Sequence, residues 1–212
     1  MTPERTEKFQ DVVRKRQGNL TVVLENVHDL HNIGAVLRTC DSVGIKEIFV
    51  LNTEPHLDQE HMHLAARSSS GARKWIDVNF YTKIKPCFEH IKKQYDYIFC
   101  THLGEETKSL YELDLTQSVA LLFGNEHDGV SEEALQYCDG NFIIPQSGMV
   151  QSLNISVACA VSIYEAKRQR ITKGFYENNP TLSIEEQDAL YEDYTRRHKL
   201  KIKNKSVKRL ND

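Results

Sequence analysis

The 212-residue chain is 40% apolar and 27% charged, which suits one globular domain with a real core and excludes collagen-like, coiled-coil and disordered chains. Its net charge of −3 is unevenly distributed: +2 over residues 1–20, +5 over 167–212 and −10 between them. The positive ends either bind an anionic partner or are simply solvated. No apolar run exceeds the five residues of Val119–Phe123 and the chain starts with polar residues, so we expect no membrane span and no signal peptide.

Hydrophobic periodicity predicts alternating strands and helices, with a basic helix at each end. In chain order the predicted strands are 20–24, 47–51, 75–80, 97–101, 119–123 and 142–144. The predicted helices between and after them are 32–43, 83–94, 131–138, 152–170 and 184–200, the last capped by Ser183. Because parallel strands need crossovers, this order predicts an α/β fold: a mostly parallel sheet with helices on both faces.

Composition also suggests how the chain is organised. We expect a basic helical arm over 1–19, one domain over 20–170, and a C-terminal helix with a basic tail over 171–212. The tail is the most basic part, with eight Lys and Arg and no acidic residue in 196–209. Five scattered cysteines without a C-x-x-C pair indicate neither a disulfide framework nor a zinc ribbon, so we expect a reducing cytoplasm.

Three loops leave the carboxyl ends of predicted strands, where ligands of such sheets bind. The first, Glu25–Asn32, lacks the G-x-G-x-x-G of a dinucleotide site, and the chain contains no P-loop motif. The second, Gly124–Gly129, carries two acids that would repel a phosphate, so it suits a cation or a hydrogen-bond donor. The third runs from Ile144 into a helix rich in small residues, which its own sheet or a partner subunit could approach closely.

The helix at 32–43 has one apolar stripe, and Arg38 points away from it. The stripe consists of Ile33, Val36, Leu37, Cys40 and Val43. From periodicity alone, Arg38 is best interpreted as a solvated arginine and Asn32 as the N-cap of this helix.

Three motifs, in order and at the right spacing, resemble those of the SpoU/TrmH (SPOUT) RNA ribose methyltransferases. They are Asn32–Thr39, then Leu122–Glu126 with Gly129–Ser131, then Ile144–Pro145 with Gly148–Ala158. Arg16-Gln17 and Glu165–Arg170 extend the resemblance to the tRNA (guanosine-2'-O)-methyltransferase branch. The resemblance implies S-adenosylmethionine-dependent methylation of a guanosine ribose in the tRNA D loop. It also implies a homodimer with its active site at the interface, and a deep C-terminal trefoil knot over about residues 120–165.

The same resemblance implies roles for particular residues. The catalytic set is Arg38, Asn32, Glu126, Ser152 and Asn154. The cofactor-binding set is Thr101, Gly124, Ile144, Met149 and Leu153. The basic ends supply the candidate RNA-binding set, which is Arg14, Arg16, Arg168, Arg170, Arg196 and Arg197. A guanidinium pKa above ~12 makes an arginine a poor base, so Arg38 is either an unusual general base or a stabiliser of the developing alkoxide.

Three alternatives remain. The first is metal catalysis, suggested by the segment Glu60-His61-Met62-His63. No motif supplies a third ligand, so we expect this segment to be a solvated loop and we expect no metal. A non-catalytic RNA-binding relative would have no need of Arg38, Glu126 and Asn154. A ribosomal RNA 2'-O-methyltransferase is the nearer alternative, although such relatives often carry a separate N-terminal RNA-binding domain and only about twenty residues precede the first strand here.

Overall fold

Eight strands form one parallel sheet in the computed structural model, which describes residues 1–57, 71–104, 106–202 and 208–210. The strands are β1 (Leu20–Glu25), β2 (Glu47–Leu51), β3 (Asp77–Tyr81), β4 (Tyr97–Thr101), β5 (Lys108–Ser109), β6 (Val119–Phe123), β7 (Gly140–Ile143) and β8 (Lys208–Arg209). Their order across the sheet is β5-β7-β4-β6-β1-β2-β3-β8, and every pairing is parallel.

Six helices accompany the sheet within the described ranges. They are α1 (Pro3–Arg14), α2 (Leu30–Val43), α3 (Ile84–Lys92), α4 (Glu132–Leu135), α5 (Ile155–Thr172) and α6 (Ile184–Lys199). Single 3₁₀ turns lie at Ala72–Lys74 and Leu110–Glu112. The prediction of an α/β fold with a parallel sheet between helices is confirmed.

The two central strands are buried along their whole length. β1 and β6 pair from Leu20 opposite Val119 to Leu24 opposite Phe123, and every residue of both strands is buried. Successive side chains point to opposite faces, so Val22 packs with the core cluster under α2 and α5, while Val23 packs with the cluster under α3. Two apolar layers therefore fix the sheet and place the carboxyl ends of β1 and β6 side by side.

The two terminal helices pack on each other. Phe9 of α1 and Tyr194 of α6 are buried together, and the Trp75 ring lies 5.4 Å and 5.0 Å from theirs. Arg16 donates from Nε to the Tyr194 hydroxyl at 2.9 Å. Both terminal helices are thus docked near the start of β3.

Several predicted boundaries are wrong. The strand predicted at 75–80 begins at Asp77, because Trp75 ends the preceding 3₁₀ turn. The helix predicted at 131–138 is only four residues long, and that predicted at 152–170 starts at Ile155, because Asn154 is its N-cap. The two-residue strands β5 and β8 were not predicted, whereas Ser183 caps α6 as expected.

Some predictions concern residues that the structure does not describe. The Glu60–His63 cluster and part of the basic tail, including Lys203 and Lys205, lie outside the described residues. All five cysteines lie within them and are free thiols. In the described ranges, no helix combines the length and the apolar character that crossing a membrane requires.

Candidate active site

A cavity of about 930 Å³ opens at the carboxyl ends of β4, β6 and β7. Thr101 and His102 line it from β4, Gly124 and Glu126 from the loop after β6, and Ile144 from the loop after β7. The segment leading into α5 closes the remaining side with Ser152, Leu153 and Asn154. Seven of the residues assigned by resemblance therefore share one cavity.

The loop after β6 approaches itself so closely that only glycine fits at position 124. Asn125 and Gly129 exchange backbone hydrogen bonds at 3.1 Å and 3.3 Å, and a Cβ on Gly124 would lie 2.0 Å from the Gly129 carbonyl carbon. The Asn125 side chain accepts from the backbone N–H groups of His127 and Asp128 at 2.8 Å and 2.7 Å. This loop is therefore a tight turn, and at position 124 it has room for backbone only.

A buried carboxylate anchors the far end of the same loop. Glu25, the last residue of β1, is 1% exposed and accepts from the Ser131 N–H at 3.0 Å and from its hydroxyl at 2.5 Å. Burial raises the pKa of Glu25, although these hydrogen bonds oppose the rise. Ser131 in turn caps α4 by accepting from the Ala134 N–H. Glu25 thus joins β1 to the loop that carries Glu126.

One hydrogen-bonded chain joins all three motifs. Asn32 donates from Nδ2 to Glu126 Oε1 at 2.6 Å, and its Oδ1 accepts from Asn154 Nδ2 at 3.1 Å. Asn32 is nearly buried within α2, whose N-cap is Asp29. The interpretation of Asn32 as the helix cap is therefore wrong, and its amide instead connects two loops of the cavity.

Asn154 has two tasks. Its Oδ1 accepts from the Ser156 N–H at 2.9 Å and from the Ser156 hydroxyl at 2.6 Å, which caps α5, while its Nδ2 donates to Asn32. The start of α5 is thereby tied to α2. Ser152 lies two residues earlier, in the cavity wall.

Arg38 lies on the opposite side of α2 from the core. The predicted stripe is buried, with Ile33, Leu37 and Cys40 each 0% exposed, whereas Arg38 is exposed. Arg38 is not one of the described residues that line the cavity of its own chain. Its guanidinium is therefore available to a ligand or to a second molecule.

One predicted cofactor residue is placed differently. Met149 is 99% exposed and lies outside the cavity wall, although its neighbours Gly148 and Val150 line it. The Met149 side chain therefore lines no part of this cavity in the structure, and its assignment to the cofactor stays a prediction.

Three of the six arginines predicted to bind RNA are buried and serve the fold. Arg16 is 1% exposed and donates to the Asp41 carboxylate at 2.6 Å and to the Ile45 carbonyl at 3.0 Å. Arg197 is also 1% exposed and is held by Asp193 and by the carbonyl of Lys74. Neither guanidinium can reach a phosphate without leaving its site, so both predictions are wrong.

Arg170 is the third buried arginine. It is 0% exposed and donates five hydrogen bonds, to the backbone carbonyls of Leu115, Asn19 and Gln117 and to the side-chain amides of Gln17 and Asn19. Burial lowers the pKa of Arg170 to about 10. It joins α5 to the amino ends of β1 and β6, so its prediction as an RNA contact is also wrong.

The other three arginines remain at the surface. The side chains of Arg14, Arg168 and Arg196 are 52%, 67% and 64% exposed, and each pairs with an acid on its own helix. The Arg14–Asp11 pair is exposed on both sides and therefore weak, typically below about 1 kcal/mol, so Arg14 can exchange its partner for a phosphate. The acids paired with Arg168 and Arg196 are only 8% and 22% exposed, so these two arginines face solvent while their partners are largely covered.

Sequence reasoning missed several residues of the site. His102 and Leu103 line the cavity directly after Thr101, as do Gln146 and Gln151 in the third loop. Their position immediately after a predicted strand was the available signal. Glu25 gave a second signal, since it is the one charged residue of the buried segment Leu20–Glu25.

Comparisons with known proteins agree on one family. Residues 19–164 match the model of the SpoU rRNA Methylase family. The tRNA (guanosine(18)-2'-O)-methyltransferase of Thermus thermophilus is 40% identical over 196 residues, covering 92% of this chain and 98% of that protein. The crystal structure of the A. aeolicus TrmH/SpoU tRNA modifying enzyme is similar with a TM-score of 0.80 and 33% identity, covering 92% of this chain and 96% of that one. The SpoU methyltransferase AviRb of Streptomyces viridochromogenes, solved in complex with the cofactor AdoMet, gives a TM-score of 0.65 at 25% identity, covering 74% of this chain and 62% of that one.

Proposed function

The chain belongs to the SpoU rRNA methylase family, and we propose that it is a tRNA (guanosine-2'-O)-methyltransferase acting on a guanosine of the D loop. The observation that carries this proposal is the hydrogen-bonded chain Glu126–Asn32–Asn154, which joins the three motifs beside one cavity. A module that only bound RNA would have no use for such a network at the mouth of a small-molecule cavity.

S-adenosylmethionine is the cofactor that we propose for the cavity. The residues fit it: Ile144 and Leu153 offer apolar contact for a purine, and the tight turn at Gly124 leaves room where a Cβ would meet backbone. Thr101 and Ser152 add hydroxyl groups to the same wall. When bound, this cofactor supplies an electrophilic methyl group on a sulfonium.

The protein's own task is to present the ribose hydroxyl to that methyl group. Transfer requires the 2'-oxygen about 3 Å from the methyl carbon and in line with the bond that breaks. We assign Arg38 to orient the hydroxyl and its neighbouring phosphate and to stabilise the negative charge that develops on the oxygen. Asn32, Glu126 and Asn154 are positioning residues, because each acts by holding the others in place.

A second copy of the chain completes this site in our proposal. Arg38 is exposed but lies outside the cavity of its own chain, so one chain alone does not bring the two together. A homodimer that lays α2 of one protomer across the cavity of its partner would do so. The exposed side chains of Val157, Tyr164 and Ile171, spaced by seven residues along α5, offer an apolar surface for that contact.

Three finer features implied by family membership are part of the same proposal. The segment of about 120–165 forms a trefoil knot, for which the support is that β6 and β7 lie on opposite sides of β4. Residues 1–19 and 171–212 act as arms that hold RNA around a domain at 20–170. Of the predicted RNA contacts we retain the exposed Arg14, Arg168 and Arg196.

The decisive experiment is methyl transfer with mapped products. Purified protein, labelled S-adenosylmethionine and unmodified bulk tRNA should yield one 2'-O-methylguanosine, located in the D loop, and ribosomal RNA should remain unlabelled. Label in ribosomal RNA alone would favour the ribosomal alternative. No incorporation into either RNA, with the cofactor shown to bind, would contradict the enzymatic assignment.

A further inference from the structure

Three metal-ligating side chains meet at the carboxyl ends of β1 and β2, outside the cavity. His28 follows β1, and Glu54 and His56 follow β2. The Nε2 atom of His28 lies 3.1 Å and 3.3 Å from the two carboxylate oxygens of Glu54, and that of His56 lies 3.3 Å from Oε2. The ligand atoms of all three side chains lie within 4.8 Å of one another.

These separations match the edges of a coordination tetrahedron. Zinc bonds of about 2.0–2.1 Å place neighbouring ligand atoms of a tetrahedral site about 3.3 Å apart. Both separations between an imidazole nitrogen and the carboxylate are already close to this value. The two imidazole nitrogens lie within 4.8 Å of each other, so they need to approach by at most about 1.5 Å to reach the same value.

The backbone that carries the ligands is held on both sides. Asn26 and Thr53 tie the two loops together, since Asn26 Nδ2 donates to Thr53 Oγ1 at 2.9 Å and Asn26 Oδ1 accepts from the Thr53 N–H at 2.8 Å. The turn after β2 is closed by hydrogen bonds to Leu57, from Asn52 Nδ2 to its carbonyl and from its N–H to the Glu54 carbonyl. The ligands are therefore organised before any ion binds.

We propose that His28, Glu54 and His56 bind one Zn²⁺ ion, with water in the fourth position. Two imidazoles and one carboxylate suit zinc and disfavour Mg²⁺ and Ca²⁺, which prefer oxygen ligands. Solvent can supply both the ion and the water, because the His28 and His56 side chains are 38% and 64% exposed. Methyl transfer does not pass through this ion.

The site has a structural consequence for the active site. His28 directly precedes Asp29, the N-cap of α2, and α2 carries Asn32 and Arg38. The His28 ring also lies 6.5 Å from that of His127, in the loop that carries Glu126. A bound ion fixes the start of α2 to the loop after β2, beside the network that positions the substrate.

Calorimetric titration of the metal-stripped full chain with zinc chloride tests this assignment. We expect one ion per chain, and we expect His28→Ala and His56→Ala each to weaken binding by at least about tenfold. Mg²⁺ should not compete, and Co²⁺ should show the visible absorption of a tetrahedral complex. His31→Ala is the matched control, because it removes an exposed imidazole three residues from His28 that lies outside the cluster.

Zinc should also stabilise the fold. At a hundredfold excess over Kd the melting temperature should rise by roughly 5–10 °C in the parent and in His31→Ala, and much less in His56→Ala. Circular dichroism without metal checks that the variants fold. Equal zinc affinity in all three variants, or no saturable binding by the parent, would overturn the proposal.

Discussion

Arg38 is exposed on α2, across the helix from side chains that pack in the core. Replacing it with alanine should abolish methyl transfer while changing the free energy of unfolding by no more than about 0.5 kcal/mol, because no cavity opens. Arg38→Lys should restore little activity, since an ammonium group lacks the planar fork that contacts a hydroxyl and a phosphate together. Methyl incorporation into tRNA and urea unfolding measure the two effects.

Measuring cofactor affinity distinguishes a loss of catalysis from a loss of cofactor binding. S-adenosylmethionine affinity, measured by calorimetry, should be unchanged in both Arg38 variants, because we assign Arg38 to the ribose hydroxyl and its phosphate and not to the cofactor. Substantial activity in either variant would remove Arg38 from the mechanism.

Gly124 is expected to tolerate no side chain. A Cβ there would lie 2.0 Å from backbone atoms of Gly129, so Gly124→Ala must open the turn, at a cost of about 1–3 kcal/mol, and lose cofactor binding. Gly148→Ala is the matched control in the same cavity wall, because nothing lies within 4 Å of its added Cβ. Urea unfolding and calorimetry of the two variants should differ clearly, and equal behaviour would contradict the close approach seen here.

Glu25 should make stability depend on pH. Burial raises its pKa above the ordinary value of 4.5, so the folded state favours the protonated carboxyl. Stability from this group is therefore greatest below that ordinary value and is lost as pH rises through the raised pKa. Glu25→Gln carries no charge and keeps an acceptor for the Ser131 N–H.

The variant should accordingly gain stability relative to the parent as pH increases. Urea unfolding at about pH 5 and about pH 8 should show the larger difference in favour of Glu25→Gln at the higher pH. A difference that shrinks with rising pH would mean that the hydrogen bonds from Ser131 outweigh the cost of burying the charge.

At the scale of one element, the end of α6 contains basic residues of two kinds. Arg196 and Lys199 are exposed, as is Lys201 just beyond the helix, whereas Arg197 is buried against Asp193. If the exposed group holds RNA, replacing its three members with glutamine should lower the slope of log affinity against log salt by about two, since each phosphate contact contributes roughly 0.7–0.9. Filter binding of tRNA over a salt series measures this slope.

Arg197→Gln is the contrasting variant on the same helix. It should cost about 1–3 kcal/mol of unfolding free energy, because it removes the hydrogen bonds that the buried guanidinium donates to Asp193 and to the Lys74 carbonyl. The salt slope should be unchanged wherever the protein is folded. A slope that falls in Arg197→Gln but not in the triple variant would reverse the assignment of these residues.

At the scale of the whole molecule, an active site shared between protomers predicts complementation. Arg38→Ala and Glu126→Gln should each be inactive as homodimers. If Arg38 acts on the partner's cavity, a mixed dimer contains one fully intact site, so an equimolar mixture that re-equilibrates should recover about a quarter of the parent activity. If Arg38 acts within its own chain, the mixture stays inactive.

Light scattering provides the control for that experiment. Both variants should have the mass of a dimer, since neither residue belongs to the apolar surface on α5. A monomeric parent with full activity would contradict the shared site altogether.

The sequence predicts this molecule well where the determining interactions are local. β2, β4 and β6 begin and end where predicted, because burial of a strand depends on its own side chains. Asn32 shows where prediction from local sequence ends. Its side-chain partners, Glu126 and Asn154, are 94 and 122 positions away, and helical periodicity cannot identify partners at such separations. Only the resemblance to a family placed these residues in one site.

The distribution of charge along the sequence predicted the RNA-binding residues least reliably. Arg16, Arg170 and Arg197 contribute to the positive ends of the sequence, yet each donates to backbone carbonyls of distant segments. A count of charges cannot reveal that such acceptors converge. Resemblance likewise assigned Met149 to the cofactor, and the sequence does not reveal that its side chain is 99% exposed.

The edges of the sheet bear on how the protein behaves at high concentration. The outermost strands, β5 and β8, are only two residues long and each begins with a lysine, whereas the strands between them are longer and mostly apolar. Short, charged edges discourage pairing with the strands of another molecule. β8 covers the edge of β3, and Leu210 donates to the Phe80 carbonyl at 3.0 Å. Removing residues 208–210 would uncover β3 as a template for aggregation.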